Sequence, residues 1–457
     1  MHSGIDRQWF APNTGVPSKM KNVTRREFCG NIAALAVVGA WANPGTMHAG
    51  EASQTTTPLS ARESKFAPWT PGCLDIHHIG TGRGSAMLAI CPDGTTMMVD
   101  AGAKYDSLKY TIAPKPNASR RPGEWQARYV ERHIKAARAA GIDHLLVSHL
   151  HSDHIGQWTA ELPIASQGDF ALTGITDIAE QIPIKKLIDR AFPDYAYPFR
   201  ASFVTDPEYR FTFRNYKKYV DHRIGQGQLV ERFIPGSSKQ LGLVHSPETY
   251  PQFNVRNLAS NGDVWTGKGD EVASHFPPLD QLESKYQPSE NQCSTAIRIQ
   301  YGAFSYYTGG DLPSELNEWY DAKPWPNIAG VVARAAGPVS VAVAHHHGYA
   351  DSMGPDCVRA LRPKAFVIQG WDSAHPTIKP LYNMLSRELY PEERDIFQTA
   401  VKEENLIATR DLAKLKSLNG HVVIRVPADS KSFRVEILDN ADEADRVIAT
   451  HGPYLLG

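Results

Sequence analysis

Apolar and polar positions alternate from Cys73 to Ile79, and this run leads into Gly80-Thr81-Gly82-Arg83-Gly84. Short β-rich runs follow over 85–90 and 95–99, separated by Pro92-Asp93-Gly94. Runs of this kind bounded by turn residues predict a meander of three strands that ends at Asp100-Ala101-Gly102 and forms an open sheet edge with chemistry near its end. Over 124–140 the apolar Ala127, Val130, Ile134 and Ala137 recur at helical spacing and Gly141 supplies a stop, which predicts a helix. The next run, His144 to Ser148, is short and apolar, the pattern of a strand buried in a sheet with helices packed outside.

Residues 157–290 form a long aromatic and Pro-rich section to which the pattern assigns no core of its own. It carries a predicted helix over 215–234 and a hairpin over 254–265 turning on Asn261-Gly262. Beyond it, 294–300, 304–308, 339–344 and 365–369 read as strands, 377–387 as a helix, and 421–426 and 432–438 as a final pair of strands. No internal repeat is visible, so the pattern describes a mixed α/β domain.

The first fifty residues differ from the rest. Thr24-Arg25-Arg26-Glu27-Phe28 precedes the uncharged, Ala- and Val-rich run from Gly30 to Ala42, which looks like a twin-arginine export signal over 1–49, with Ala40, Ala42 or Ala49 as cleavage sites. The apolar run is shorter than the ~20 residues of a membrane span, so no stable membrane insertion is expected after cleavage. A linker over 50–67 would then lead into a catalytic domain over 68–457, exported to a bacterial periplasm or the cell exterior. The chain has 48 Lys+Arg against 49 Asp+Glu, a balance that gives no field to attract nucleic acid, so none is expected as a partner. Outside the signal the cysteines are Cys73, Cys91, Cys293 and Cys357, with no CxxC pair. In an oxidising compartment Cys73 and Cys91, flanking the Gly-rich turn at equal distance, are candidates for a cross-strand disulfide, with buried free thiols the alternative.

The densest chemistry is Ser148-His149-Leu150-His151-Ser152-Asp153-His154-Ile155-Gly156, four potential ligands within six residues at the end of a predicted strand. In extended chain, residues two apart project to the same side, so His149 and His151 can grip one ion while the following turn carries Asp153 and His154 to a second. Imidazole and carboxylate suit zinc, and manganese or iron accept them too. Lone histidines such as His77, His78, His144, His222, His245 and His275 read as structural or solvent-facing.

This motif resembles the HxHxDH signature of the metallo-β-lactamase superfamily residue for residue. The resemblance continues in Val99-Asp100-Ala101-Gly102, similar to the early strand whose Asp100 would support the metal loop from behind. It extends to the stretch from Phe304 to Asp311, similar to the strand ending in a metal-bridging aspartate, and to the stretch from Val341 to Gly348, similar to the strand ending in the last histidine ligand. It implies a four-layer αββα sandwich with a long insertion after HxHxDH. More narrowly it looks like the branch containing the extracellular domain of competence protein ComEC and the pneumococcal phosphorylcholine esterase, where a His-Pro pair, here His375-Pro376, would touch substrate or support a ligand.

The family's further histidine before the Gly-Asp strand is absent: that region reads Ser289-Glu290-Asn291-Gln292-Cys293-Ser294. The first metal would then have only two histidines plus Asp311 and water and bind more weakly, or Asn291 or the distant His275 would fill the gap. Spacing leaves open which of His345, His346 and His347 binds metal; the resemblance favours His347, directly before Gly348, with His346 the alternative and a candidate contact to the leaving group. The implied chemistry is hydrolysis by hydroxide formed on two zinc ions ~3.5–4 Å apart that lower the pKa of water from ~15.7 toward ~7, with Asp153 orienting the nucleophile. The expected substrate is a phosphodiester or phosphoester; a carboxyl ester, lactone or β-lactam is the alternative, and a non-catalytic metal-binding protein the second. Tyr195, Tyr197, Arg200, Arg210, Lys217 and Lys218 are candidates to line a pocket, most of them also readable as packing or surface residues.

Overall fold

β-rich segments of the chain assemble into two sheets in a computed structural model that describes residues 64–106, 108–199, 205–314 and 325–457. The twin-arginine segment, its cleavage positions, most of the linker and Arg200 lie outside the described residues. The first sheet has ten strands, in the order Ser64–Lys65, Arg446–Leu455, Ser432–Leu438, His421–Val426, Leu74–His78, Ala86–Ile90, Thr96–Ala101, Ile142–Leu146, Ile184–Asp189 and Leu229–Arg232. The second has eight: Val272–Ser274, Asp263–Trp265, Phe253–Ser260, Ala296–Tyr301, Phe304–Thr308, Val341–Val343, Ala365–Ile368 and Asp395–Gln398.

Each sheet changes direction once. The first is antiparallel as far as Thr96–Ala101 and parallel from there through Ile142–Leu146, Ile184–Asp189 and Leu229–Arg232. The second is antiparallel as far as Phe304–Thr308 and parallel through Val341–Val343, Ala365–Ile368 and Asp395–Gln398. In open α/β sheets ligands bind outside the carboxyl ends of the parallel strands.

The faces explain the layers. Along Ala86–Ile90, Met87 and Ala89 join Leu74, Ile76, Val255, Ile299 and Phe304 in the core between the sheets. Leu88 and Ile90 point the other way, to Ala127, Val130 and Ile134 of the helix Pro122–Ala136. The outer face of the second sheet, with Tyr307, Ala342, Phe366 and Ile396, packs against the helices Ile328–Ala336, Pro355–Leu361 and Ile378–Leu385. Strands buried on both faces read as continuous apolar runs, and the αββα sandwich implied by the resemblance is the architecture found.

Several expectations are corrected. The meander over 74–101 lies inside the first sheet, not at an edge, because His421–Val426 pairs with Leu74–His78 on one side and Ile142–Leu146 with Thr96–Ala101 on the other. The helix predicted over 215–234 runs Pro207–Gly225, capped by the Asp206 side chain accepting from the Tyr209 N–H, and Leu229–Arg232 is a strand. Pro122–Ala136 ends before Gly141, capped at Ala137 and followed by Arg138 with φ 58. The Asn261-Gly262 hairpin is present, with φ 55 and 87 at the two turn residues, the backbone a type I′ turn requires. Cys73 and Cys91 are free: the Cys73 thiol meets Thr70 Oγ1 at 3.3 Å, whereas Cys91 packs in the core between the sheets. Residues 157–290 contribute strands to both sheets.

Two histidines of this frame, His78 and His421, are held neutral by burial. His78 reaches across to the Tyr306 hydroxyl, 2.9 Å from its Nε2, and His421 Nδ1 accepts from the Gly80 N–H at 3.0 Å. Burial pushes His78 down to about 4; burial and the nearby His133 push His421 down to about 3. Below the ordinary value of 6.5 the unfolded chain therefore binds protons that the folded chain refuses, so stability falls as the pH drops from there toward 4. Each histidine is expected to cost up to ~1.4 kcal/mol per pH unit in that window. Urea midpoints measured across it should decline steadily; a flat profile would contradict the buried neutral rings.

Candidate metal centre

The carboxyl ends of the parallel strands deliver the chemistry. Thr96–Ala101 ends at Asp100, Ile142–Leu146 runs on into Ser148-His149, Phe304–Thr308 into Gly309-Gly310-Asp311, and Val341–Val343 into the turn His345–Gly348. After His151 the chain forms a single helical turn, Ser152–Ile155, which carries Asp153 and His154 away from His149 and His151.

Two ligand groups result, sharing one carboxylate. The first comprises His149, His151 and Asp311, the second Asp153, His154, Asp311 and His347, with the ligand atoms of each within 4.8 Å of one another. His149 Nε2 lies 3.1 Å from His151 Nδ1 and 3.6 Å from Asp311 Oδ2. His154 Nε2 is 3.2 Å from Asp311 Oδ1, and His347 Nε2 is 3.0 Å from Asp153 Oδ2 and 3.8 Å from Asp311 Oδ2. His346 stands beside them, its Nε2 3.7 Å from Asp311 Oδ2 and its Nδ1 2.7 Å from Asp351 Oδ1.

Surrounding groups fix these rings. Asp100, at φ 59, accepts from the Ser148 N–H (2.7 Å) and Ser148 hydroxyl (2.6 Å) and pairs with His154 Nδ1 (2.8 Å). That turns His154 Nε2 inward; the carboxylate–histidine arrangement sets the tautomer and orientation of a metal ligand. The Gln369 carbonyl does the same for His347 through Nδ1 at 2.9 Å. Glu290 accepts the N–H of Leu150, between His149 and His151, at 2.8 Å, and is itself gripped by Arg190 (Nε 2.6 Å) and the Tyr209 hydroxyl (2.9 Å). The Asp153 carbonyl lies so close to Gly102 that a Cβ there would meet it at 1.7 Å, so only glycine lets the early strand support the ligand turn.

The electrostatics call for added positive charge. Burial lowers His149 and His151 and keeps both rings neutral, the form that binds metal. Burial would raise Asp153 and Asp311, but the neighbouring histidines outweigh it and hold both well below the carboxylate range. For His154 burial opposes charge and Asp311, Asp153 and Asp100 overcome it, holding a proton on the ring. Its buried Nε2, aimed at Asp311, makes no hydrogen bond, nor does the buried Oδ1 of Asn291. Unpartnered nitrogen and oxygen beside anionic carboxylates match what a zinc, manganese or iron ion takes up.

A cavity of about 440 Å³ opens over these groups, bordered by His151, Asp153, Asn291, Glu208, Tyr209 and Lys104. Asn291 thus borders the cavity that His151 and Asp153 share, whereas His275 lies at another cavity with Trp265 and Arg334 and does not join the ligand groups. His375 stacks on His347 with centroids 4.7 Å apart. Of the proposed pocket residues, Tyr197 borders a cavity. Tyr195 is buried with its hydroxyl donating to Asp189, and Lys217 and Lys218 pair at the surface with Asp221 and Asp169. Arg210 lies over Phe211. Sequence reasoning missed Glu290, Arg190, Lys104 and Glu208, whose partners are distant in the chain; Glu290 beside Asn291 was the one local hint.

The side chains thus form a candidate histidine–aspartate metal site in an αββα sandwich. No family model matches the chain, and no curated protein matches it. Among solved structures it is similar to CmlA, a diiron β-hydroxylase from Streptomyces venezuelae, at 13% identity and TM-score 0.35 over 79% of this chain and 55% of that one, so the chain spans about half of that relative. It is also similar to a metallo-β-lactamase from Cronobacter sakazakii, at 14% identity and TM-score 0.31 over 61% of this chain and 78% of that one. A third is a diphosphatase of the PhnP family, at 9% identity and TM-score 0.28 over 65% and 85% of the two chains.

Asp100 gives the direct test of the centre. Asp100→Asn is expected to keep the hydrogen bond from Ser148 and lose the charge behind His154, weakening metal affinity by roughly 10- to 100-fold. Competition with a chromophoric chelator reads this; unchanged affinity would remove Asp100 from its supporting role.

Proposed function

We propose that the chain is a metal-dependent hydrolase of phosphodiesters or phosphoesters, exported by its N-terminal signal, and a member of the metallo-β-lactamase superfamily. The observation that carries the reading is Asp311, shared between two ligand groups whose His151 and Asp153 border an open cavity. His149, His151 and Asp311 would hold one ion, with Asn291 bordering the same cavity as His151; Asp153, His154, His347 and Asp311 would hold the other. Two divalent ions there would polarise an oxygen of the substrate and make water acidic enough to attack at neutral pH.

The count of charge favours an anionic substrate. Asp153 and Asp311 are the carboxylates in the two ligand groups, so a pair of divalent ions leaves the centre positive, which suits a phosphodiester better than the neutral carbonyl of a lactone or β-lactam. Asp153 is the ligand-group carboxylate that borders the cavity, placed to accept a hydrogen bond from the attacking water and aim it. Water's oxygen bonds to phosphorus, the ester P–O bond breaks, and the proton released passes to the departing alkoxide. His346, steadied by Asp351 at 2.7 Å, is the neighbouring donor for that oxygen.

Zinc-loaded protein is expected to turn over an aryl phosphodiester and to leave an aryl lactone and a chromogenic cephalosporin intact. His149→Ala and Asp311→Ala should each lower kcat/KM by at least ~10³-fold, as loss of a metal ion's charge stabilisation entails. Turnover of the lactone or cephalosporin alone would overturn the phosphoester assignment, and activity retained in both variants would place catalysis elsewhere.

A further inference from the structure

The cavity over the ligand groups does not end at Tyr209. A larger one of about 980 Å³ abuts it. Phe199 borders both, and Thr205 and Pro288 border the larger where their chain neighbours Asp206 and Ser289 border the smaller. A line of rings connects the metal-binding groups to it: His151 meets Tyr209 edge-on at 5.7 Å, and Tyr209 meets Phe199 edge-on at 5.9 Å.

The chemistry changes at Phe199. On the near side the lining is polar and charged, with His151, Asp153, Glu208, Glu290 and Lys104. On the far side Tyr197, Pro198, Leu279, Leu282 and Pro288 present carbon, and among the described residues Asp280 is the charged group there. Tyr197 is 55% exposed and Leu279 and Leu282 are half-buried, so this is an open groove and not a packing void. Its wall is anchored: the Phe199 ring lies 6.0 Å from the Arg190 guanidinium, which Glu290 neutralises from the other side. Pockets of ~300–1,000 Å³ with apolar walls and a few convergent polar groups are those that take small-molecule ligands.

We propose that the groove holds the apolar part of the substrate whose phosphoester sits over the ligand groups, so that the substrate is amphiphilic, an anionic head carrying an alkyl or aryl group of several carbons. This rests on the phosphoester reading for the head group; the groove itself rests on the lining. Its occupant is argued from continuity: the groove opens onto the metal-side cavity across one ring, and a short-chained substrate would leave its carbon surface in water.

The test is calorimetric titration of the full-length, zinc-loaded protein with methyl-, butyl- and octylphosphonate and, in parallel, with carboxylates of the same alkyl lengths. Octylphosphonate is expected to bind at least ~10-fold more tightly than methylphosphonate, each methylene that enters the groove adding on the order of two- to four-fold. Leu282→Glu and Tyr197→Glu should each bring octylphosphonate down toward methylphosphonate while leaving methylphosphonate binding and Tm unchanged. Affinity independent of chain length in both series, or a chain-length gain that survives both substitutions, overturns the groove. A gain among the carboxylates with no phosphonate binding keeps the groove and overturns the phosphoester head.

Discussion

Two buried carboxylates, Asp153 and Asp311, govern this structure. Among the described residues the ion contacts of Asp153 and Asp311 are all with histidine: His154 and His347 for the first, His149, His154, His346 and His347 for the second. Ionised carboxylates out of water cost several kcal/mol each unless compensated. Histidine can supply that charge only by carrying protons, whereas a metal ion supplies it while the rings stay neutral. The cluster is therefore balanced either by protons or by metal, and the neutral His149 and His151 are already in the state that metal requires.

Holding such a cluster together takes a frame that does not yield. The loops that leave the carboxyl ends of strands from both sheets bring their side chains together in the two ligand groups. Asp100 joins two of these ends through Ser148 and His154. The Ser85 N–H donates to the Asp153 carbonyl at 2.9 Å, binding the Gly-rich turn to the ligand turn, and Gly102 leaves the space for it. On the other flank the buried pair Arg190 and Glu290 fastens the backbone between His149 and His151. Removing one partner of such a pair strands a buried charge, which is why this support is rigid.

Sequence pattern located what was local. Strands 304–308, 421–426 and 432–438 were legible to the residue because both their ends carry turn chemistry and their apolar positions face cores. Arg446–Leu455 was not, since none of its residues is fully buried and it owes its place to pairing with Ser432–Leu438. The start of the helix at Pro207 was written in Asp206-Pro207, a cap and a first-turn proline, but its aromatic face hid the period. At the centre, the spacing of the motif already separated His149 and His151 from Asp153 and His154, and the structure groups them in that way. What spacing could not show was Glu290, Arg190 and Lys104, since their meaning lies in partners 48 to 140 positions away in the chain.

The first turn of the helix Pro207–Gly225 joins the two cavities into one device. Asp206 caps it, Glu208 accepts from the Ser152 hydroxyl at 2.5 Å and from Lys104 at 2.6 Å, and Tyr209 donates to Glu290 at 2.9 Å. Ser152 begins the turn that bears Asp153 and His154, while Glu290 holds the backbone between the other two histidines. One helical turn therefore touches the supports of both ligand groups and, through Tyr209 and Phe199, the wall of the apolar groove. A molecule seated in that groove would meet Phe199, whose ring packs edge-on against Tyr209 and so against the supports of the candidate ligand loops. Remote binding energy accelerates a reaction only when it is transmitted to the reacting centre, and this turn is the short, packed route by which it can be.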